Sequence, residues 1–545
     1  MAEHTIVFRL RFAVALSAAI CLVLAFQVGE AASAPSRHEY IVQMDKGTSP
    51  AVGKRMVRRT GGRVTSRTLR VINGFGASLT RRAAARLRRH PRVKQVSLNV
   101  RMGMSSTDTS GTYRCPTTDA TTTESRWYPG QGRDFEPSIL NTYNLLRQPM
   151  INSVRANRAW NRVTGRGVGV AVIDTGIAGE LAEFQRPGWT GSRVIASAVT
   201  NPCARDAKDH YGHGTHVAGL IGANSLILPP DNRFFGRIMG VAPRSNLISV
   251  KVSDDDGNTT VLDVIYGIQF AVDNKSQFGI KVVNLSLSSA VAESYRTDPL
   301  DAAVEQAWFS GLTVVAAAGN EALENDGVTF SPANDPWVIT AGALDDRDTW
   351  TRLDDILAPW SSRGLTQDGV RKPEVLAPGG GMVSTLAHGS DFADICPSCV
   401  VDGRYFRAGG TSMAAAVVSG AAALIYEAHP DWTPAQVKGA LMATLDDVPG
   451  AGGAIDVAAA LDSTATATVN LAPNELIDPA TGQIDWARAS FRRVSFRDAS
   501  GSPLGADWAR ASFRCDCGLT SSGEVDPTRV SFRRVSFRKT TDFGG

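Results

Sequence analysis

Between about residues 136 and 463, short and almost wholly apolar runs alternate with longer stretches of helical periodicity, and this alternation restricts the chain more than any other feature. A run that is apolar at every position cannot keep one face in water. It fits a parallel strand covered from above and below. Such runs fall at 168–173, 247–252, 282–287, 313–318, 338–343 and 374–377, and helices are predicted over 214–223, 261–274, 299–310, 412–429 and 433–444. Thr433-Pro434 is a good start signal, with proline at the first helical position. Strand and helix in this repetition predict an α/β fold, a doubly wound, mostly parallel sheet with helices on both faces.

In an open sheet of this kind functional groups collect at the carboxyl ends of the strands, so residues far apart in sequence converge there. Val170-Ala171-Val172-Ile173-Asp174-Thr175-Gly176 ends a strand on an acid. Gly212-His213-Gly214-Thr215-His216 and Gly410-Thr411-Ser412-Met413-Ala414 open helices on a histidine and a serine, and Ala316-Ala317-Ala318-Gly319-Asn320 sets an amide just beyond a strand. A serine hydroxyl is a weak nucleophile near neutral pH and needs a base beside it, which imidazole can be. A buried carboxylate fixes the imidazole tautomer and stabilises its charged form. Asp174, His213 and Ser412 are therefore the catalytic candidates. Asn320 and the Ser412 backbone N–H, at a helix N-terminus, are the candidate donors to an oxyanion.

Taken singly, each pattern also reads as a turn or a helix cap. Together, in the order Asp, His, Ser, they exclude the layouts that run His, Asp, Ser and Ser, Asp, His. An esterase of the α/β-hydrolase class would also carry Gly-x-Ser-x-Gly at its nucleophile, and Ser412 lies in no such elbow. A catalytically silent binding protein on the same fold would not need all four groups. His216 reads as structural rather than catalytic.

The rest of the chain divides by composition. Arg9 and Arg11 precede an apolar run at 12–26 and then small residues ending Ala32-Ser33-Ala34, the pattern of an export signal over 1–34. The mature protein is expected to be secreted, either extracellular or held in the periplasm or at the cell surface. Of seven cysteines, Cys21 would leave with the signal. Cys115, Cys203, Cys396, Cys399, Cys515 and Cys517 remain, an even number suited to an oxidising compartment, and spacing alone leaves fifteen pairings open. Cys396-Pro397-Ser398-Cys399 lacks a second ligand pair and reads as a structural bridge rather than a redox or zinc motif.

The net charge of +4 hides an asymmetry, because residues 35–102 hold seventeen Lys and Arg against two acids, which leaves everything beyond at about −11. A cationic segment beside an anionic one suits docking of the first on the second. A nucleic-acid arm is the poorer reading, since the basic residues alternate with strand patterns and carry no nucleic-acid motif. Residues 35–103 have a coarse β, helix, β, β, helix, β character, with strands at 40–44, 71–79 and 93–96 and a helix at 81–90. Residues 104–135 are rich in Thr, Ser and Gly and read as an exposed connector. From 464 to 545 short repeats take over: Asp485-Trp486-Ala487-Arg488-Ala489-Ser490-Phe491-Arg492 recurs from Asp507, followed by Arg-Val-Ser-Phe-Arg units. They read as a flexible tail of Arg and aromatic residues able to hold cell-envelope polymer through charge and stacking.

With its triad motifs and Asn320, the stretch from about 153 to 461 resembles the subtilisin-like serine proteases, the subtilase family. The resemblance extends to Val283-Asn284-Leu285-Ser286-Leu287, Trp360-Ser361-Ser362-Arg363-Gly364, Lys372-Pro373-Glu374-Val375-Leu376-Ala377-Pro378-Gly379 and Gly453-Ala454-Ile455-Asp456-Val457. It implies a serine endopeptidase acting on proteins and peptides, expected as a monomer, with no cofactor needed for the chemistry. It also implies that residues 35–103 are an inhibitor-like propeptide, so that the enzyme is a self-processing zymogen. Ser286, Leu287 and Ser288 on one side and Gly257 and Asn258 on the other are the substrate-binding residues the resemblance implies.

The chain departs from the family where Gly-Thr-Ser-Met-Ala is followed by Ala415-Ala416-Val417-Val418-Ser419 in place of Ala-Pro-His-Val-Ala. It departs again where Ser288 and Ser289 stand in place of two glycines, which narrows the expected S1 pocket. Relatives often bind a structural calcium. Asp254-Asp255-Asp256-Gly257-Asn258 resembles half a calcium loop but lacks the spaced ligands and closing Glu of an EF-hand, so it reads as a solvated turn and no metal ligand is assigned.

Overall fold

The computed structural model describes residues 36–45, 47–103, 149–186, 191–229, 231–322, 327–475 and 477. The expectations for the export signal, the connector, Cys21, Cys115, Cys515, Cys517 and the C-terminal repeats lie outside these residues.

The N-terminal unit is built from β1 (Arg37–Met44), α1 (Pro50–Arg59), β2 (Arg63–Leu69), β3 (Gly74–Thr80), α2 (Arg81–Arg88) and β4 (Val93–Leu98). The strands form an antiparallel sheet in the order β2-β3-β1-β4. Local chemistry starts both helices: Ser49 caps α1 ahead of Pro50, and Thr80 Oγ1 accepts the Ala83 N–H at 3.2 Å. Strand alternation then separates two faces. Tyr40, Val42 and Met44 of β1 pack with Val57 of α1 and Ala83, Ala84 and Leu87 of α2 in a small core of their own. Ile41, with Leu69, Val71 and Ile72, points the other way into the main core. The two helices thus cover one face of the sheet, and the other face lies on the larger domain. A short strand, β5 (Arg101–Gly103), follows.

The larger domain contains β6 (Gly169–Asp174), β7 (Val194–Val199), α3 (His213–Gly222), β8 (Asn246–Lys251), β9 (Thr259–Thr260), α4 (Val261–Phe278), β10 (Ile280–Leu285), β11 (Ser288–Ser289), α5 (Pro299–Phe309), β12 (Thr313–Ala317), β13 (Ile339–Asp345), β14 (Val375–Pro378), α6 (Thr411–Ala428), α7 (Pro434–Ala443), β15 (Asp446–Val448) and β16 (Gly452–Ala454). The large sheet runs in the order β15-β16-β14-β13-β12-β10-β6-β8-β7, parallel throughout except for the β15–β16 hairpin and a short strand, Ile356–Leu357, hydrogen-bonded to β13.

Every residue of β6 and β12 is buried, as their unbroken apolar sequences require. Helix α6 lies on β10, β12, β13 and β14 beside α3, while α4 packs on β6, β7 and β10 beside α5. Helix α6 is long and apolar enough to cross a bilayer, yet 89% of it is buried inside the fold, where it acts as the core helix. From β6 the chain moves first toward β7 and β8 and then crosses to β10 and beyond, so the carboxyl end of β6 is the switch point at which a doubly wound sheet opens a crevice.

Packing continues past residue 463. Ala467 N–H donates to the Ala435 carbonyl at 2.9 Å. Asn474 is fully buried, its N–H donating to the Glu305 carboxylate at 2.7 Å and its amide to the Tyr295 and Asp298 carbonyls. The change in composition at 464 therefore comes before the end of the packed chain.

Candidate active site

Asp174 closes β6 at the switch point and His213 opens α3. Their side chains meet at 2.8 Å, His213 Nδ1 to Asp174 Oδ1, with both residues buried. The same carboxylate oxygen accepts the Thr175 N–H at 2.7 Å, which holds it toward the ring. This proximity needs a glycine after the histidine, because a Cβ on Gly214 would stand 2.2 Å from the Gly176 carbonyl oxygen.

A residue that no motif pointed to organises the junction. Asp209 is buried and accepts four hydrogen bonds: Thr175 Oγ1 at 2.8 Å, Gly212 N at 2.7 Å, Thr215 N at 2.8 Å and Thr215 Oγ1 at 2.6 Å. Thr175 Oγ1 in turn accepts Gly214 N–H at 2.8 Å. One carboxylate thus ties the end of β6 to the first turn of α3, where donors are otherwise unpaired and negative charge is favoured. Burial nonetheless pushes its pKa upward. The available signal was an acid four residues ahead of a helix-opening histidine.

His216, one turn along α3, is fully buried, and its Nε2 lies 3.2 Å from the Met382 carbonyl and 3.0 Å from that of Phe406. Burial, helped by the neighbouring His213, pushes its pKa down to about 3, so it stays neutral.

Ser412 is the second residue of α6, and its hydroxyl is turned to the Ser286 carbonyl at 3.1 Å, while Ser286 Oγ donates to the Ser412 carbonyl at 2.9 Å. This reciprocal pair ties the nucleophile candidate to the strand end that carries Leu287 and Ser288. Asn320 follows β12. Its Oδ1 accepts Thr411 N–H at 2.9 Å and Thr411 Oγ1 at 3.0 Å, which fixes the amide plane and leaves Nδ2 facing the turn before α6. A Cβ on Gly410 would lie 3.5 Å from Asn320 Nδ2 and 3.8 Å from Ser412 N, so both expected oxyanion donors border one small space. Asn284, behind the serine, is linked through its Oδ1 to Ser419 Oγ at 2.9 Å, a contact made by one of the residues in which this helix departs from the family pattern.

The expected substrate edges hold a strand already. β5 pairs antiparallel with β11, Ser288 opposite Gly103 and Ser289 opposite Met102, and with β9, Thr259 opposite Met102 and Thr260 opposite Arg101. Ser286 and Leu287 lead into the β11 side of this ladder. On the other side Thr259 and Thr260 make the pairing, while Gly257 and Asn258 form the turn before it. Gly257 has φ of +82° and lies flat against the Tyr211 ring, where a Cβ would come within 2.9 Å. Asn258 donates its N–H to Asp254 Oδ1 at 2.8 Å.

The acids around this turn are engaged within the chain. Asp254 Oδ1 also accepts the Asp256 N–H at 3.1 Å. Asp206, His210 and Asp255 come close enough to hold a cation, but Asp255 already accepts Lys251 Nζ at 2.6 Å and pairs with Arg205. Two protein cations on its carboxylate make this donor set a poor fit for a metal ion. Among the cysteines, Cys396 and Cys399 are bonded to each other, with Cα atoms 5.3 Å apart, and Cys203 is disulfide-bonded to a partner outside the described residues.

Residues 165–467 match the model of the subtilase family. The serine protease AprX of Bacillus subtilis (strain 168) is 38% identical over 282 residues, which are 51% of this chain and 60% of AprX. Subtilisin from Bacillus pumilus is 36% identical over 282 residues, covering 52% of this chain and 84% of its own. Subtilisin J from Geobacillus stearothermophilus aligns over 421 residues at 29% identity, 76% of this chain and 87% of its own. The crystal structure of fervidolysin from Fervidobacterium pennivorans, described as a keratinolytic enzyme related to subtilisin, superimposes with a TM-score of 0.56 at 23% identity over 80% of this chain and 62% of that one, a likeness of fold.

Proposed function

Because this chain belongs to the subtilase family, whose members are serine-type endopeptidases, we propose that it hydrolyses peptide bonds in proteins through an acyl-enzyme on Ser412. The observation that carries this reading is the buried 2.8 Å contact between His213 Nδ1 and Asp174 Oδ1 at the switch point of the sheet. In the proposed cycle the Ser412 hydroxyl rotates from the Ser286 carbonyl to His213 and gives its proton to Nε2 as Oγ attacks the scissile carbonyl carbon. Asp174 holds the Nδ1 proton and stabilises the imidazolium that forms. Asn320 Nδ2 and the Ser412 N–H donate to the oxygen that turns negative. His213 then returns its proton to the leaving amine, and water enters by the same relay to release the acid and restore Ser412.

We also propose that the chain is exported as a zymogen whose N-terminal unit is its own inhibitor, with no cofactor in the chemistry. The ladder in which β5 lies between β9 and β11 supports this, since an extended segment paired on both edges is how a peptide would be presented. Ser286 stands two residues before Ser288 in an antiparallel pairing, which favours a cut about two residues beyond Gly103. Expression of the full chain and of Ser412→Ala, followed by N-terminal sequencing, tests both readings. The active form should lose the N-terminal unit near that point and the alanine form should retain it; identical processing in the two would assign the cut to another protease. For the repeat tail we propose attachment to cell-envelope material, which unchanged retention on cells after deletion of 484–545 would reject.

A further inference from the structure

Only part of the basic surplus of the N-terminal unit meets the larger domain. Its apolar contacts with the larger domain come from the sheet face bearing Ile41, Leu69, Val71 and Ile72, and among the described residues Arg70 pairs with Asp273 and Lys94 with Glu475 across the boundary. The helical layer on the opposite face carries a different load. Arg55, Arg58 and Arg59 of α1 and Arg81, Arg82 and Arg86 of α2 are all exposed. Neither helix contains an acidic residue, and among the described residues no carboxylate pairs with any of these six guanidinium groups. Because α1 and α2 share one core on one side of one sheet, their outer surfaces form a single cationic face directed away from the catalytic domain.

We infer that this face is a docking surface for a bilayer rich in anionic headgroups. Guanidinium groups this concentrated, with no carboxylate paired to them among the described residues, attract a polyanion, and among those residues no large apolar side chain is exposed on the face, so the contact is electrostatic and lies at the headgroup level. Chain geometry selects the bilayer over other polyanions. The apolar run at 12–26 ends ten residues before Arg37, so while that run occupies a membrane the unit is tethered within roughly 40 Å of its surface. That step rests on the export reading. The lipid contact itself can be measured without it, so the two can fail separately.

The experiment uses full-length protein carrying Ser412→Ala, which cannot cut itself, with the attached N-terminal unit verified by intact mass. Co-sedimentation is measured with vesicles of phosphatidylcholine alone and of phosphatidylcholine with phosphatidylglycerol, and compared with the same protein bearing Arg→Gln at positions 55, 58, 59, 81, 82 and 86. These positions are solvent-facing, and an unchanged melting temperature establishes that the variant is folded. The expected result is an excess of binding to the anionic vesicles over phosphatidylcholine alone, abolished by high salt and reduced at least about a hundredfold in the variant, whatever the apolar run contributes to both. Absence of binding to anionic vesicles at low salt overturns the inference. So does equal binding by the variant, which would move the contact to the C-terminal repeats. Tighter binding of a DNA duplex at matched charge concentration replaces the lipid with a nucleic acid and also overturns it.

Discussion

Replacing Asn320 separates the hydrogen bonds its amide makes to Thr411 from the oxyanion role proposed for it. Its Oδ1 accepts from Thr411 N and Thr411 Oγ1 at 2.9 and 3.0 Å, two ordinary hydrogen bonds contributing about 1 kcal/mol each. Its Nδ2 is assigned to the oxyanion. Asn320→Ala removes both roles: stability should fall by about 2 kcal/mol, a drop of several degrees in Tm, and kcat should fall by about 10²–10³, or about 3–4 kcal/mol of barrier. The barrier figure is that of an oxyanion-hole amide in a subtilisin, a relative. Asn320→Asp keeps the acceptor for Thr411 but removes the donor and adds a charge that opposes the oxyanion. It should therefore melt close to the wild type and yet lose at least as much kcat as the alanine variant. Thermal unfolding and steady-state hydrolysis of a chromogenic peptide read the two quantities separately. KM should change little, since the donor acts in the transition state. A kcat within about threefold of wild type in both variants would refute the assignment of Asn320.

Asp209→Asn sets its new NH2 against one backbone N–H, donor to donor, while the threonine hydroxyl on the same side can turn to accept, and should cost about 1–3 kcal/mol of stability. As a positioning change it should also lower kcat by about tenfold or more while leaving KM nearly constant; a stability loss with unchanged kcat would confine Asp209 to folding. The pH dependence of stability has a named source in Asp263, whose carboxyl is pushed up to about 7 by burial. An acid with a raised folded-state pKa binds its proton more tightly when folded. Its contribution, of order 4 kcal/mol, is therefore complete below the unfolded value near 4 and lost as pH rises through 7. Melting temperature should be higher at pH 5 than at pH 8, and Asp263→Asn should flatten that slope; an unchanged slope would place the titration elsewhere.

What the sequence revealed follows from what burial imposes. Strands covered on both faces, such as Gly169–Asp174 and Thr313–Ala317, must be apolar at every position and were readable to within one or two residues. Val194–Val199, at the edge of the sheet and only partly buried, left no such run. In the N-terminal unit, β2 alternates exposed and half-buried residues, and α1 carries four Lys and Arg in ten positions, so neither announced its limits. The triad candidates and Asn320 sit in motifs because strand ends and helix starts have strong local requirements. Asp209 works through hydrogen bonds to four groups and needs no pattern beyond itself. Sequence does not say where a turn ends and a ladder begins: within the expected edge 257–260, Gly257 and Asn258 make the turn, and Thr259 and Thr260 pair with β5. The charge asymmetry was visible as well, but its direction was not. Only the fold shows that Arg70 and Lys94 meet the larger domain while Arg55, Arg58, Arg59, Arg81, Arg82 and Arg86 lie exposed on the helical layer.

The central claim is that His213, oriented by Asp174, makes Ser412 a nucleophile. Labelling of the processed protein with a fluorophosphonate, followed by peptide mapping, measures this directly, because the probe reacts with an activated serine and not with an ordinary one. The account predicts a single modified residue, Ser412, and loss of labelling in His213→Ala. Modification of a different serine, or labelling of Ser412 that persists undiminished without the imidazole, would contradict it.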